Sequence, residues 1–354
     1  MTGSMHQPRR ILAIHVARIG DTLLTTAALR HLSKIYPPAQ IDFLGHAKRI
    51  EVLEHLPYLR HVGAISKKSA RCKGWCAKFM GRKPYDLAFV WGHDAELVAY
   101  ARRVSKRLVV SRQLDEAANQ LADQVVEFPN DTNLLAEAED KPLAQWILDV
   151  VEQGTQTQAA DQYTDYVVTT EEAKAAKVLL SQQVGSKNAG TQLIGLVVES
   201  HPAGAHRDWP IENFVELTRQ LAAENANRYF VLIGGKLPAA KINALQTVLG
   251  DHLIDLSGKL SLRQSAAVIN ELDLYVAVDT GPSHIAAALG TPSVVMFHCM
   301  RAGEYLLAPR YPERLTIVNH PTVREFCNFD ASMSQIEVWA ILDAARQQLA
   351  GGTQ

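Results

Sequence analysis

The chain has 354 residues, 47 % of them hydrophobic, and its 36 lysines and arginines against 37 acidic residues leave a net charge of −1. That length exceeds what a single core supports, so two domains are expected, and near-neutrality excludes the global attraction that draws basic proteins to nucleic acid. No apolar run is long enough to span a bilayer and no basic-then-apolar leader opens the sequence, so a cytoplasmic protein is expected.

Arg10 to Val16 reads as a buried strand, followed by a turn at Gly20-Asp21 and an amphipathic helix from about Thr22 to Ile35 that Pro37 and Pro38 stop. Ile41 to Leu44 reads as a second strand, Ile50 to Leu56 as a second helix and Leu87 to Trp91 as a further strand. This alternation predicts a parallel sheet with helices on both faces, whose sites lie at the carboxyl ends of the strands. Asp21 falls at such an end.

Between Glu54 and Asp86 come Arg60, Lys67, Lys68, Arg71, Lys73, Lys78, Arg82 and Lys83 with no carboxylate among them, and Arg102, Arg103, Lys106 and Arg107 follow. With Trp75, Phe79 and Met80 interleaved, the first stretch reads either as a cationic face suited to anionic lipid headgroups or as a solvated loop. After an amphipathic helix expected from Leu134 to Gln153, the polar run Gly154 to Gln158 is the candidate linker.

The second half repeats the alternation. Strands are expected at Leu193 to Val198, Tyr229 to Ile233, Leu253 to Leu256, Leu274 to Val278 and Ser293 to Phe297, and helices at Ile211 to Asn225, Leu262 to Glu271 and Ser334 to Leu349. His201 and His206 read as loop residues, and Trp209, ahead of Pro210, as core. The strand ending at Val278 meets Asp279, after which Thr280, Gly281 and Pro282 open an alanine-rich helix that Gly290 closes. Thr280 is expected to cap that helix, leaving the amides of Gly281, Ser283 and His284 to an anion. By residue type alone Asp21 is a helix cap or a base, and Asp279 a turn residue or a ligand. Cys72, Cys76, Cys299 and Cys327 read as reduced structural thiols. No metal and no cofactor is expected, since no two aspartates are separated by one residue and no complete zinc ligand set is present.

Three motifs in order, Arg18-Ile19-Gly20-Asp21-Thr22-Leu23-Leu24, Arg207-x-Trp209-Pro210 and Asp279-Thr280-Gly281-Pro282-Ser283-His284, together resemble the family 9 glycosyltransferases, which include the ADP-heptose:lipopolysaccharide heptosyltransferases. The resemblance implies an α/β chain of GT-B fold, two doubly wound Rossmann-like domains facing across a cleft. These would be an acceptor-binding domain over 1–165 and a nucleotide-sugar-binding domain over 166–330, with a helix in 331–354 that can pack back on the N-terminal domain. It further implies an inverting, metal-independent transfer of a heptose or related sugar from a nucleotide-diphosphate donor to a lipopolysaccharide core acceptor.

In that scheme Asp21 is the general base. Arg207, Asp279, Thr280, Gly281, Pro282 and His284 bind the donor, and Arg18, Gly20, Thr22, Arg60, Lys67 and Lys68 meet the acceptor. Peripheral contact with the inner face of the inner membrane fits the scheme, and nucleic acid does not. Arg207 stands where the family commonly has lysine, and Lys236 follows Gly235 where members often carry an acidic residue near the ribose, which leaves the donor nucleotide open. A sugar-nucleotide epimerase or hydrolase, or a non-catalytic nucleotide-sugar binder, are the alternatives on the same fold.

Overall fold

A computed structural model describes residues 7–80, 83–129, 141–184, 190–300 and 302–351. Arg82, Arg301, the start of the helix expected from Leu134, and the side chains of Lys78, Phe79 and Met80 lie outside the described residues. The chain divides into two compact units, 1–167 and 168–354.

The first unit runs β1 (Arg10–His15), α1 (Ile19–Ile35), β2 (Gln40–Gly45), β3 (Leu59–Ala64), α2 (Lys67–Met80), β4 (Tyr85–Trp91), α3 (Ala95–Val104), β5 (Ser105–Ser111), α4 (Glu116–Asn119), β6 (Gln124–Val126) and α5 (Leu143–Thr155). Its strands form one parallel sheet in the order β3-β2-β1-β4-β5-β6. The order reverses between β1 and β4, and that switch point is where such sheets open a crevice. Ile11 to Ile14 and Ala88 to Val90 are fully buried, as continuous apolar runs in a sheet covered on both faces must be.

The helix expected from Ile50 to Leu56 is instead a short 3-10 turn, Ile50–Leu53. It stops because Glu54 is extended and His55 takes a left-handed φ of 68°. At the other end of the unit α5 continues through Thr155 and closes on a left-handed Gln156. The segment beyond is tied to α1 by Arg30, which pairs with Asp161 and Asp165 and donates to the Tyr163 carbonyl at 2.7 Å.

The second unit runs α6 (Thr170–Val184), β7 (Gln192–Val197), a 3-10 turn (Pro202–Arg207), α7 (Ile211–Glu224), β8 (Arg228–Leu232), α8 (Ala239–Leu249), β9 (Leu253–Asp255), α9 (Leu262–Asn270), β10 (Leu274–Val278), α10 (Gly281–Leu289), β11 (Ser293–Phe297), α11 (Gly303–Leu306), β12 (Leu315–Asn319) and α12 (Val338–Gly351). The sheet order β12-β11-β10-β7-β8-β9 repeats that of the first unit, with its switch point between β7 and β10.

The closing helix, for which packing on the first domain was open, contributes Ile341, Leu342, Ala345 and Leu349 to the core of its own unit. Trp209 is fully buried in that core beside Phe214, and its indole N–H donates to the Ile336 carbonyl at 2.9 Å. The loop after β7 is thereby fastened to the chain leading into α12.

Candidate active site

In the first unit the chain leaves β1 at His15 and enters α1 with Arg18 as its N-cap residue in extended conformation. The Arg18 carbonyl accepts from both the amide and the hydroxyl of Thr22, at 2.9 and 2.7 Å, and Arg49 Nη1 braces the loop by donating to the Ala17 carbonyl at 2.8 Å. Asp21 therefore lies in the first turn of the helix and not at the cap. Its carboxylate is half-buried and receives no hydrogen bond from the described residues.

Beneath this turn sits a residue the sequence reading passed over. His15 is buried, and its Nδ1 lies 2.8 Å from Thr25 Oγ1, which in turn donates to the Asp21 carbonyl at 3.0 Å. Burial pushes the imidazole pKa down to about 4, against a smaller opposing pull from Asp21, so the ring is neutral at physiological pH. A lone histidine in an apolar run gives no motif.

The expected acceptor residues do not all gather here. Arg18 is exposed on the turn, and Lys67 and Lys68 open α2 at the same carboxyl edge of the sheet, Lys67 pairing with Asp94 at 2.6 Å. Gly20 and Thr22 are buried, and the Thr22 hydroxyl is occupied by the Arg18 carbonyl, so these two shape the turn. Arg60 is a correction of another kind. It lies near the start of β3, roughly 13 Å along the strand from the carboxyl edge. There it clamps the buried Asp42, which also accepts from the Tyr85 hydroxyl at 2.8 Å. The basic stretch is also partly answered from within, since Arg71 pairs with Glu96 at 2.7 Å.

In the second unit the two sides of the switch point meet. Arg207, in the loop after β7, donates from Nη1 to Asp279 Oδ2, just past β10, at 2.6 Å. The side chains keep 19 % and 7 % of their exposure, so this is a desolvated pair and not a surface one. Gly204 allows it: a Cβ there would stand 2.1 Å from Arg207 Nη2. Asp208 stiffens the same loop by accepting from the Ser200 amide at 2.7 Å.

Thr280, Gly281, Pro282 and His284 are half-buried around the start of α10. The capping expectation needs correcting. Thr280 makes no side-chain cap bond, and the Ser283 amide is not left to an anion but donates to the Thr280 carbonyl at 3.1 Å. Ser283 Oγ closes the turn further by donating to the Val278 carbonyl at 3.0 Å. The Gly281 amide, ahead of the first intrahelical bond, keeps the position expected of an anion ligand.

The expectation of four reduced thiols is overturned in part. The loop after β11 and the segment before α12 bring Cys299 and Cys327 to a Cα separation of 5.7 Å, and a disulfide joins them, while Cys72 and Cys76 are free and exposed on α2. Among the described residues His298, Cys299 and Cys327 form the one group of three metal-type ligands, with ligand atoms within 4.8 Å of one another, and the disulfide engages both of its sulfurs.

The model of glycosyltransferase family 9 (heptosyltransferase) matches residues 97–322. The lipopolysaccharide core heptosyltransferase OpsX of Haemophilus influenzae is 20 % identical over 304 residues, which cover 82 % of this chain and 79 % of that protein. A family 9 glycosyl transferase from Veillonella parvula superposes with a TM-score of 0.80 at 18 % identity, over 97 % of this chain and 98 % of the other. The ADP-heptose LPS heptosyltransferase II of E. coli does so with a TM-score of 0.76 at 19 % identity, over 98 % and 100 %. The shared fold is the one expected from the motifs.

Proposed function

The chain belongs to glycosyltransferase family 9, and from that premise we propose that it moves a heptose from ADP-heptose to a sugar hydroxyl of the lipopolysaccharide core, inverting the anomeric centre and using no metal. That it is a glycosyltransferase of lipopolysaccharide core synthesis follows from the family and its relatives. Its donor, acceptor position and mechanism are our reading.

The acceptor oxygen attacks the anomeric carbon, Asp21 takes the hydroxyl proton, and the bond from that carbon to the diphosphate breaks with its electrons leaving on ADP. The Asp21 carboxylate at the carboxyl end of β1, which receives no hydrogen bond from the described residues, is the observation that carries this assignment. Charge developing on the leaving diphosphate is met by Arg207 and the start of α10, at Thr280, Gly281, Pro282 and His284, with hydrogen bonds to charged groups each contributing about 1.5–3 kcal/mol. Asp279 both orients Arg207 and faces the donor sugar. Arg18, Lys67 and Lys68 meet the anionic acceptor. Exposed Trp75 on α2, among lysines and arginines, supports peripheral contact with an anionic membrane surface. Among the described residues no helix is long and apolar enough to cross a membrane.

The test is turnover of ADP-heptose by purified protein with a truncated core acceptor, following ADP release and the anomeric configuration of the product. Consumption of donor at the same rate without acceptor, or retained configuration, would overturn the proposal.

A further inference from the structure

Two histidines occupy matching places just past neighbouring parallel strands, His298 after β11 and His320 after β12. Each is almost fully buried, His298 at 2 % exposure, and the rings stand 5.6 Å apart. His298 Nδ1 accepts from the Met300 amide at 3.2 Å, and His320 Nδ1 from the Thr322 amide at 3.1 Å. An amide N–H can only donate, so each Nδ1 bears a lone pair and each Nε2 the proton. Those Nε2 protons go to consecutive carbonyls, Ala331 at 2.9 Å and Ser332 at 3.0 Å. One segment is thus gripped twice by the same device, and the Cys299–Cys327 disulfide ties it a third time.

That segment reaches the donor loop. Phe329 stands edge-on to His206 with ring centres 5.1 Å apart, and His206 stands edge-on to His298 at 5.1 Å. The next residue is Arg207, whose guanidinium holds Asp279.

We propose that His298 and His320 are positioning residues for the donor site: they clasp the segment around Phe329 so that His206, and through it the Arg207 guanidinium, is fixed where the donor diphosphate binds. The proposal rests on the reading of Arg207 and Asp279 as donor contacts. Both histidines are almost fully buried and act through Phe329 and His206, so the effect falls on donor affinity more than on the chemical step. A side chain that reproduces the outer Nε2–H replaces the clasp, whereas one that reproduces only the inner acceptor does not.

The experiment measures ADP binding by calorimetry and ADP-heptose turnover for the full chain carrying His298→Gln, His298→Asn, His320→Gln or His320→Asn, each checked for an intact melting transition. Glutamine extends an N–H donor to about the reach of Nε2, while asparagine offers an acceptor at the reach of Nδ1. Loss of one such bond predicts a Kd for ADP and a KM for ADP-heptose roughly fivefold higher in the asparagine variants, with kcat at saturation nearly unchanged and the glutamine variants close to the parent. Parent-like binding by the asparagine variants, or weakened binding by the glutamine variants, overturns the clasp. Arg207→Ala separates the two claims: if ADP binding is unaffected by it, the donor-site reading fails. If that variant binds weakly while both asparagine variants bind normally, only the clasp fails.

Discussion

Arg207 Nη1 and Asp279 Oδ2 lie 2.6 Å apart across the switch point between β7 and β10, both largely withdrawn from water. The guanidinium has five N–H donors, so holding Asp279 leaves donors for a diphosphate. Removing one partner strands the other in a poorly hydrated site. Arg207→Ala is therefore expected to destabilise the protein by about 3 kcal/mol and to weaken ADP binding, as read by urea denaturation and calorimetry. Arg207→Lys should recover most of the stability and less of the binding, because a point charge replaces a planar fork.

Asp21→Asn should separate chemistry from folding. With no hydrogen bond to its carboxylate from the described residues, the side chain contributes to stability mainly through the helix dipole, less than about 1 kcal/mol. Loss of a placed base lowers kcat by roughly 10²–10⁴. Steady-state kinetics beside a thermal melt checks both, and full turnover would remove Asp21 from the mechanism.

His15 gives the first unit a signed pH dependence. Burial lowers its pKa from 6.5 in the ordinary ring to about 4 in the fold. As pH falls below 6.5 the unfolded chain protonates first and binds more protons, so stability is full above that value and declines toward pH 4. His15→Gln should flatten this slope. Urea midpoints measured across the window test it, and an unchanged slope would refute the assignment.

Thiol chemistry distinguishes the four cysteines. Unfolded without reductant, the protein should titrate two thiols, Cys72 and Cys76, and with reductant all four. Cys327→Ser is expected to cost about 2–4 kcal/mol, the usual contribution of a bridge closing a loop of this length. Four thiols in the absence of reductant would mean the bridge does not form.

Most buried strands could be read because parallel strands covered on both faces are uninterrupted apolar runs, as in Leu274 to Val278. The edge strands β3 and β12 could not. In β3 the sequence Leu59-Arg60-His61-Val62-Gly63-Ala64 is largely exposed and carries no such run. Missing that strand hid the fact that Arg60 sits at its start, away from the turn of Asp21. The same blindness at edge strand β12 concealed His320. The turns that carry Asp21, Arg207 and Asp279 were legible because connections between strand and helix carry glycine and proline as local punctuation. The bond between Arg207 and Asp279 was not, since it joins two βα loops 72 residues apart.

The Trp209–Ile336 bond bears on how loss-of-function alleles of this protein should be read. A nonsense mutation between His320 and Met333 would leave every described strand of both sheets translated, yet delete the carbonyl that seats the indole and the helix supplying Ile341 and Leu342 to the core. Such an allele would pass for a harmless tail truncation on a linear map while unseating the residue two places beyond Arg207.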